Sequence, residues 1–189
     1  AAIDDRLTVY ANGTKLFEIK DEQPTVGAIA LRSLRGPGLY KDVQVMMLDG
    51  ASPTNAAKVS PTIDLLPLVD ISRDAGVGNW KRVADGVACE NPAGANVLQL
   101  PYEPPDEYDF EVEFTTTGSG LNVNQYVAAS GTMFAWKLNS HNVSPPLYGF
   151  EMLDGKFAKD NKEAATQIPD AIKDGQRYRS TVEVRRGSL

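Results

Sequence analysis

Apolar and polar residues alternate in five stretches of the chain: "RLTVY" (6–10), "KLFEI" (15–19), "DVQVMML" (42–48), "EYDFEVEF" (107–114) and "RSTVEV" (179–184). A period of two places successive side chains on opposite sides of an extended backbone, so each stretch predicts a half-buried strand. In "EYDFEVEF" one face carries Tyr108, Phe110, Val112 and Phe114 and the other Asp109, Glu111 and Glu113. The first face is core and the second is wet. Between the first two stretches sits Asn12-Gly13, a pair that accepts positive φ and suits a tight hairpin turn. Helical patterning is scarce, its best case being "NKEAATQIPDAIKDG" (161–175), which Pro169 cuts into pieces of a turn or two. Short strands with so little helix predict an all-β fold, a sandwich of two antiparallel sheets.

The stretch 48–62, "LDGASPTNAAKVSPT", is small, polar and twice interrupted by proline, which predicts a linker. It divides the chain unevenly. Residues 1–47 hold roughly four strands, too few to close a sandwich. Residues 63–189 hold the rest and finish on "STVEVRRGSL", an alternating strand that needs a neighbour for its hydrogen bonds. The expectation is one domain over 1–189 built from both parts.

Composition narrows the classes of partner. A formal charge of −6 argues against nucleic acid, whose phosphates are bound by clustered Lys and Arg. Arg177, Arg179, Arg185 and Arg186 interleave with strand residues and read as a solvated face. No apolar run approaches the length that spans a bilayer. Cys89 and His141 are the single cysteine and histidine, which excludes an internal disulfide and the usual zinc clusters. Cys89 reads as a small buried apolar side chain. No nucleophile elbow, phosphate loop or dinucleotide fingerprint is present, and no cofactor is expected.

Four passages carry a resemblance: "LLPLVDISRDAGVGNWKRVADGVACE", "LQLPYEPPDEYDFEVEF", "YGFEMLDGKFAKDNKE" and "GQRYRSTVEVRRG". Together they resemble a laminin-G-like, concanavalin-type jelly-roll family related to the 3-keto-disaccharide hydrolase domain, in particular the version attached to large planctomycete proteins. In that family a strand like "STVEVRRG" is followed by a hairpin strand, a "GxIALRS" strand and a last "Y.DV.V" strand. Here those pieces are "LTVYANGTKLFEI", "GAIALRSL" and "LYKDVQV", and they stand at the start of the chain. The resemblance therefore implies a rotated order in which "RLTVY" neighbours "STVEV". Three arrangements fit: a circular permutant closing on itself, a sandwich completed by a neighbouring copy, or a cut from a tandem array. It also implies carbohydrate as ligand and an extracellular, cell-surface or periplasmic location.

Candidate chemistry falls into three groups. Glu151, Asp154 and His141 are the catalytic candidates for cleaving a glycosidic bond, which ordinarily needs two carboxyl groups facing across the sugar. Asp154 and Asp160 are the candidates for a hard cation such as Ca²⁺, although "LDG" equally makes a turn. For sugar binding, which needs aromatic faces and hydrogen-bonding amides, Asn122, Asn124 and Tyr126 share a face of "NVNQYV", followed by Trp136, Asn139, His141 and Asn142. Trp136 also sits in an apolar alternation with Phe134 and Leu138, the pattern of a core residue. The leading expectation is a non-catalytic lectin-like binding or adhesion module. The alternatives are a hydrolase of 3-keto-disaccharides and a structural subunit that shares strands with copies of itself.

Overall fold

The structure is a computed structural model and describes residues 5–21, 28–34, 36–48, 61–90, 94–118, 122–129, 132–140, 144–151, 156–160, 165–168 and 172–186. The described strands, numbered in chain order, form two antiparallel sheets. The eight-stranded sheet runs β2 (Thr14–Asp21), β1 (Asp5–Ala11), β15 (Arg177–Arg186), β10 (Tyr108–Thr116), β4 (Gly38–Met47), β8 (Gly86–Cys89) and β7 (Trp80–Val83), with β5 (Thr62–Asp64) also paired to β4. The seven-stranded sheet runs β14 (Ala165–Gln167), β13 (Leu147–Glu151), β12 (Thr132–Ser140), β11 (Asn122–Ala129), β3 (Ile29–Leu34), β9 (Ala95–Leu100) and β6 (Ala75–Val77). An all-β two-sheet sandwich is the observed architecture.

The first and last strands of the chain are neighbours. β1 lies antiparallel to β15 with Leu7 opposite Val184 and Val9 opposite Val182, and all four side chains are buried. On its other side β15 pairs with β10, bringing Phe110 opposite Val182. The turn before β2 is the Asn12-Gly13 pair, at φ 49° and 76°. Both residues take the left-handed conformation that a tight hairpin between twisted strands requires. Asn12 also fastens this turn to β15: its backbone N–H donates to Arg179 O, and its side-chain Oδ1 accepts from Arg179 N, each at 2.8 Å.

The N-terminal part reaches further than that contact. β3 lies between β11 and β9 in one sheet, and β4 lies between β10 and β8 in the other. Removing residues 1–47 would split both sheets internally. A buried apolar cluster accordingly mixes Leu7, Ile29, Leu31, Tyr40 and Val45 with Phe110, Trp136, Phe150 and Val182. At roughly 25 cal/mol per Å² of apolar area buried, such side chains contribute about 1.5–3 kcal/mol each.

Among the described residues, three hydrogen-bonded groups of polar side chains stand out in the interior. Tyr108 on β10 donates its hydroxyl hydrogen to Ala128 O at 2.7 Å and accepts from Ala128 N at 3.0 Å. Burial pushes this phenol well above its ordinary value, so it stays a donor. Ser180 on β15 donates to Gln125 Oε1 on β11, and both residues are fully buried. Ser33 shares a hydrogen with Cys89 Sγ at 3.1 Å and accepts from Asn96 Nδ2 at 3.1 Å. Cys89 is thus the buried thiol expected of it, and burial raises its pKa.

Two expectations need revision. In the segment 161–175, expected to carry helix, residues 161–164 and 169–171 lie outside the described set, and Ala165–Gln167 is the short edge strand β14, with Gln167 opposite Leu147. Three residues recruited by a waiting sheet edge outweigh a propensity that Pro169 had already cut short. The clearer helical signal lies elsewhere: Asp70 caps the turn Ile71–Asp74 by accepting from Ser72 N. Of the linker, residues 49–60 lie outside the described set. Its flanks lie side by side, because β4 and β5 are antiparallel and Met47 N donates to Pro61 O at 3.2 Å. Thr62, expected in the linker, begins β5.

Candidate functional site

The outer face of the seven-stranded sheet carries a groove built by strand register. On β11, Val123, Gln125 and Val127 turn inward and Asn124 and Tyr126 turn outward; on β3, Leu31 and Ser33 turn inward and Arg32 outward. Across four strands the register sets Arg32 (β3) opposite Asn124 (β11), Asn124 opposite Lys137 (β12), and Lys137 opposite Gly149 (β13). The adjacent row runs Ala30, Tyr126, Ala135, Glu151. The first row sets three long polar residues side by side, the second alternates large residues with alanine, and the surface is hollow where alanine and glycine lie.

The long side chains join along diagonals. Arg32 Nη1 donates to the Tyr126 hydroxyl at 2.8 Å. Lys137 Nζ lies 2.6 Å from Glu151 Oε1, both side chains being about one-sixth exposed (16% and 17%). The other oxygen of Glu151 accepts from Ala158 N at 3.0 Å, which fastens the 3₁₀ turn Ala158–Asp160 to the end of β13. That turn sets Phe157 and Lys159 at the rim. Phe157 and Met133, which also line the groove, are about half exposed. The resulting cleft has a volume of about 440 Å³, within the range of small-ligand sites.

The residues singled out from sequence separate here. Asn124, Tyr126 and Glu151 line the cleft together. Asn122 shares their strand face but is buried beyond the cleft, with its Oδ1 lacking a hydrogen-bond partner. Trp136, a candidate ligand contact whose alternation also read as core, is fully buried and packs on Phe150 with ring centroids 5.3 Å apart. Its alternation with Phe134 and Leu138 decides its side, and a sheet offers each residue only one. Asn139, expected as a ligand contact, is buried at φ 61°, where the β12–β13 register shifts between Lys137 and Ser140. Asp160 is exposed outside the cleft, 3.6 Å from Lys159. His141, Asn142 and Asp154 lie outside the described residues. Among the described residues no group of three or more His, Cys, Asp or Glu could hold a metal ion.

Sequence reasoning missed Arg32, Lys137, Phe157 and Lys159. Arg32 and Lys137 each place a cation at an outward position of a mainly apolar stretch, "IALRSL" and "FAWKL", and that interruption was the available signal. Phe157 had none, since its exposure depends on a turn fixed by Glu151.

Against known proteins, no family model, no curated protein and no solved structure matches this chain.

Proposed function

We propose that the chain is a non-catalytic, lectin-like carbohydrate-binding or adhesion module whose ligand lies across β3, β11, β12 and β13. A sugar offers an apolar C–H face and a rim of hydroxyls, and it is held by exposed rings together with a few convergent polar groups. Phe157 and Tyr126 supply the rings, while Asn124, Lys137 and Arg32 supply hydrogen-bonding groups in the same cleft. The observation that carries the reading is the four-strand row Arg32, Asn124, Lys137, Gly149, which keeps these groups on rigid strands around a hollow.

The hydrolase alternative is less well supported. Glycoside cleavage ordinarily requires a pair of carboxyl groups, and among the described residues Glu151 is the carboxylate lining the cleft. Its two oxygens are engaged by Lys137 and Ala158 N. Closure of β1 on β15 within one chain favours a self-sufficient sandwich over strands shared between copies.

The test is calorimetric titration of the chain against a broad panel of oligosaccharides, with product analysis of each mixture. Saturable binding without product is expected. Absence of binding across the panel overturns the proposal, and turnover replaces it with the hydrolase.

A further inference from the structure

We infer that the groove selects an acidic glycan, with a uronic acid carboxylate seated on Arg32. The inference rests on the carbohydrate-binding reading and adds the ligand's charge. It begins from a local imbalance: in a chain of net charge −6, the cleft is lined by Arg32, Lys137 and Lys159 against Glu151. Lys137 and Glu151 neutralise each other at 2.6 Å. Lys159 has Asp160 as a loose, exposed companion at 3.6 Å. Arg32 has no carboxylate partner among the described residues; its side-chain hydrogen bond is to the neutral Tyr126 hydroxyl, and its Nε is buried with no partner at all.

Arginines of the opposite sheet are engaged inside the fold: Arg82 on β7 donates to the backbone carbonyls of Leu66 and Val69. Arg177, Arg179 and Arg185 each meet at least one carboxylate. A half-buried guanidinium without a counter-charge is costly unless something outside the fold supplies one. A carboxylate does so with two oxygens in the geometry that the planar guanidinium fork matches. Tyr126 fits the same purpose. Its oxygen accepts from Arg32, which orients the guanidinium and leaves the phenol hydrogen to donate to a ligand oxygen. Phe157 at the rim would then contact the apolar face of the sugar ring, and Lys159 would attract the acidic chain at longer range.

The experiment titrates the full chain with oligogalacturonate, oligoglucuronate and oligomannuronate, each beside its carboxyl-reduced neutral counterpart. At least one uronate should bind tenfold or more tightly than its neutral partner, in keeping with a charge-assisted hydrogen-bonded pair. The preference should shrink with added salt. Arg32→Gln should reduce it to within about twofold, whereas Lys159→Gln on the exposed turn should reduce it only about two- to threefold. Tyr126→Phe keeps the ring and removes the hydroxyl that orients Arg32. It should lose part of the preference while melting like the parent, and it serves as the test should Arg32→Gln fail to fold. Equal or tighter binding of every neutral counterpart, or a preference untouched by both Arg32→Gln and Tyr126→Phe, overturns the inference and leaves the carbohydrate reading intact. Failure of all glycans, acidic and neutral, removes both.

Discussion

The two outer faces of the sandwich are built by the same alternation and end up chemically opposite. On the eight-stranded sheet the charges close on one another along and across strands. Arg179 Nη2 lies 2.6 Å from Glu113 Oε1 and Arg179 Nε 3.5 Å from Glu111, while Arg177 approaches the other Glu113 oxygen at 3.3 Å. Arg185 bridges Asp109 and Glu183. Thr181 donates to Glu111 at 3.3 Å. On the seven-stranded sheet, among the described residues lining the cleft, Lys137 closes on Glu151 and Arg32 meets only the neutral Tyr126 hydroxyl. Alternation tells which residues face water; whether the charges there are spent inside the fold is what separates a stabilising face from a recognition face.

Substitutions in the core and on each face probe that contrast, the largest effect first. Trp136→Ala should destabilise by about 3–5 kcal/mol in urea unfolding, because it empties the core directly behind the groove. A small loss would mean that Trp136 does not fill the interior. Ser180→Ala should cost about 1–3 kcal/mol by leaving the buried Gln125 amide short of a partner. Adding Gln125→Leu should recover part of that loss, and a strictly additive double mutant would deny the link between sheets. Phe157→Ala should leave stability within about 0.5 kcal/mol, as for an ordinary surface change. Its effect belongs to binding, on the order of tenfold weaker by calorimetry if one ring is lost from the contact.

Glu113→Gln, on the opposite face, should do the reverse and by the smallest margin. A hydrogen bond from Arg179 is the main cause holding the Glu113 carboxyl below its ordinary range, with burial opposing and Arg177 assisting. A depressed folded value means that the ion pair stabilises fully above the unfolded glutamate value and loses its effect as pH falls through the folded one. Arg179 is half exposed, so the stabilisation at neutral pH is only about 0.5–1 kcal/mol. The difference between wild type and variant should vanish in acid and shrink in salt, with glycan affinity unchanged. A variant that weakens binding as much as Phe157→Ala would erase the distinction between the faces.

Much of the fold was legible because the strands alternate strictly and their turns are chemically specific. "EYDFEVEF" announces its buried face residue by residue, and Asn12-Gly13 announces its hairpin. The pairing of "RLTVY" with "STVEV" was legible only through the family resemblance, since nothing local in either strand names its partner. The groove was half legible. Asn124 and Tyr126 followed from period-two reasoning on β11, but the contributions of Arg32 and Lys137 depend on register between strands distant in sequence. Trp136 was legible as core from its alternation with Phe134 and Leu138, whereas the burial of Asn139, at a left-handed residue beside a register shift, had no signal in the sequence.

Backbone amide mapping by NMR during titration with the tightest-binding uronate oligosaccharide tests the central claim most directly. Shifts confined to β3, β11, β12, β13 and the Phe157–Lys159 turn, with β10 and β15 silent apart from Gln125's neighbours across the core, are the predicted result. Perturbations centred on the Glu111, Glu113 and Arg179 ladder instead would contradict it.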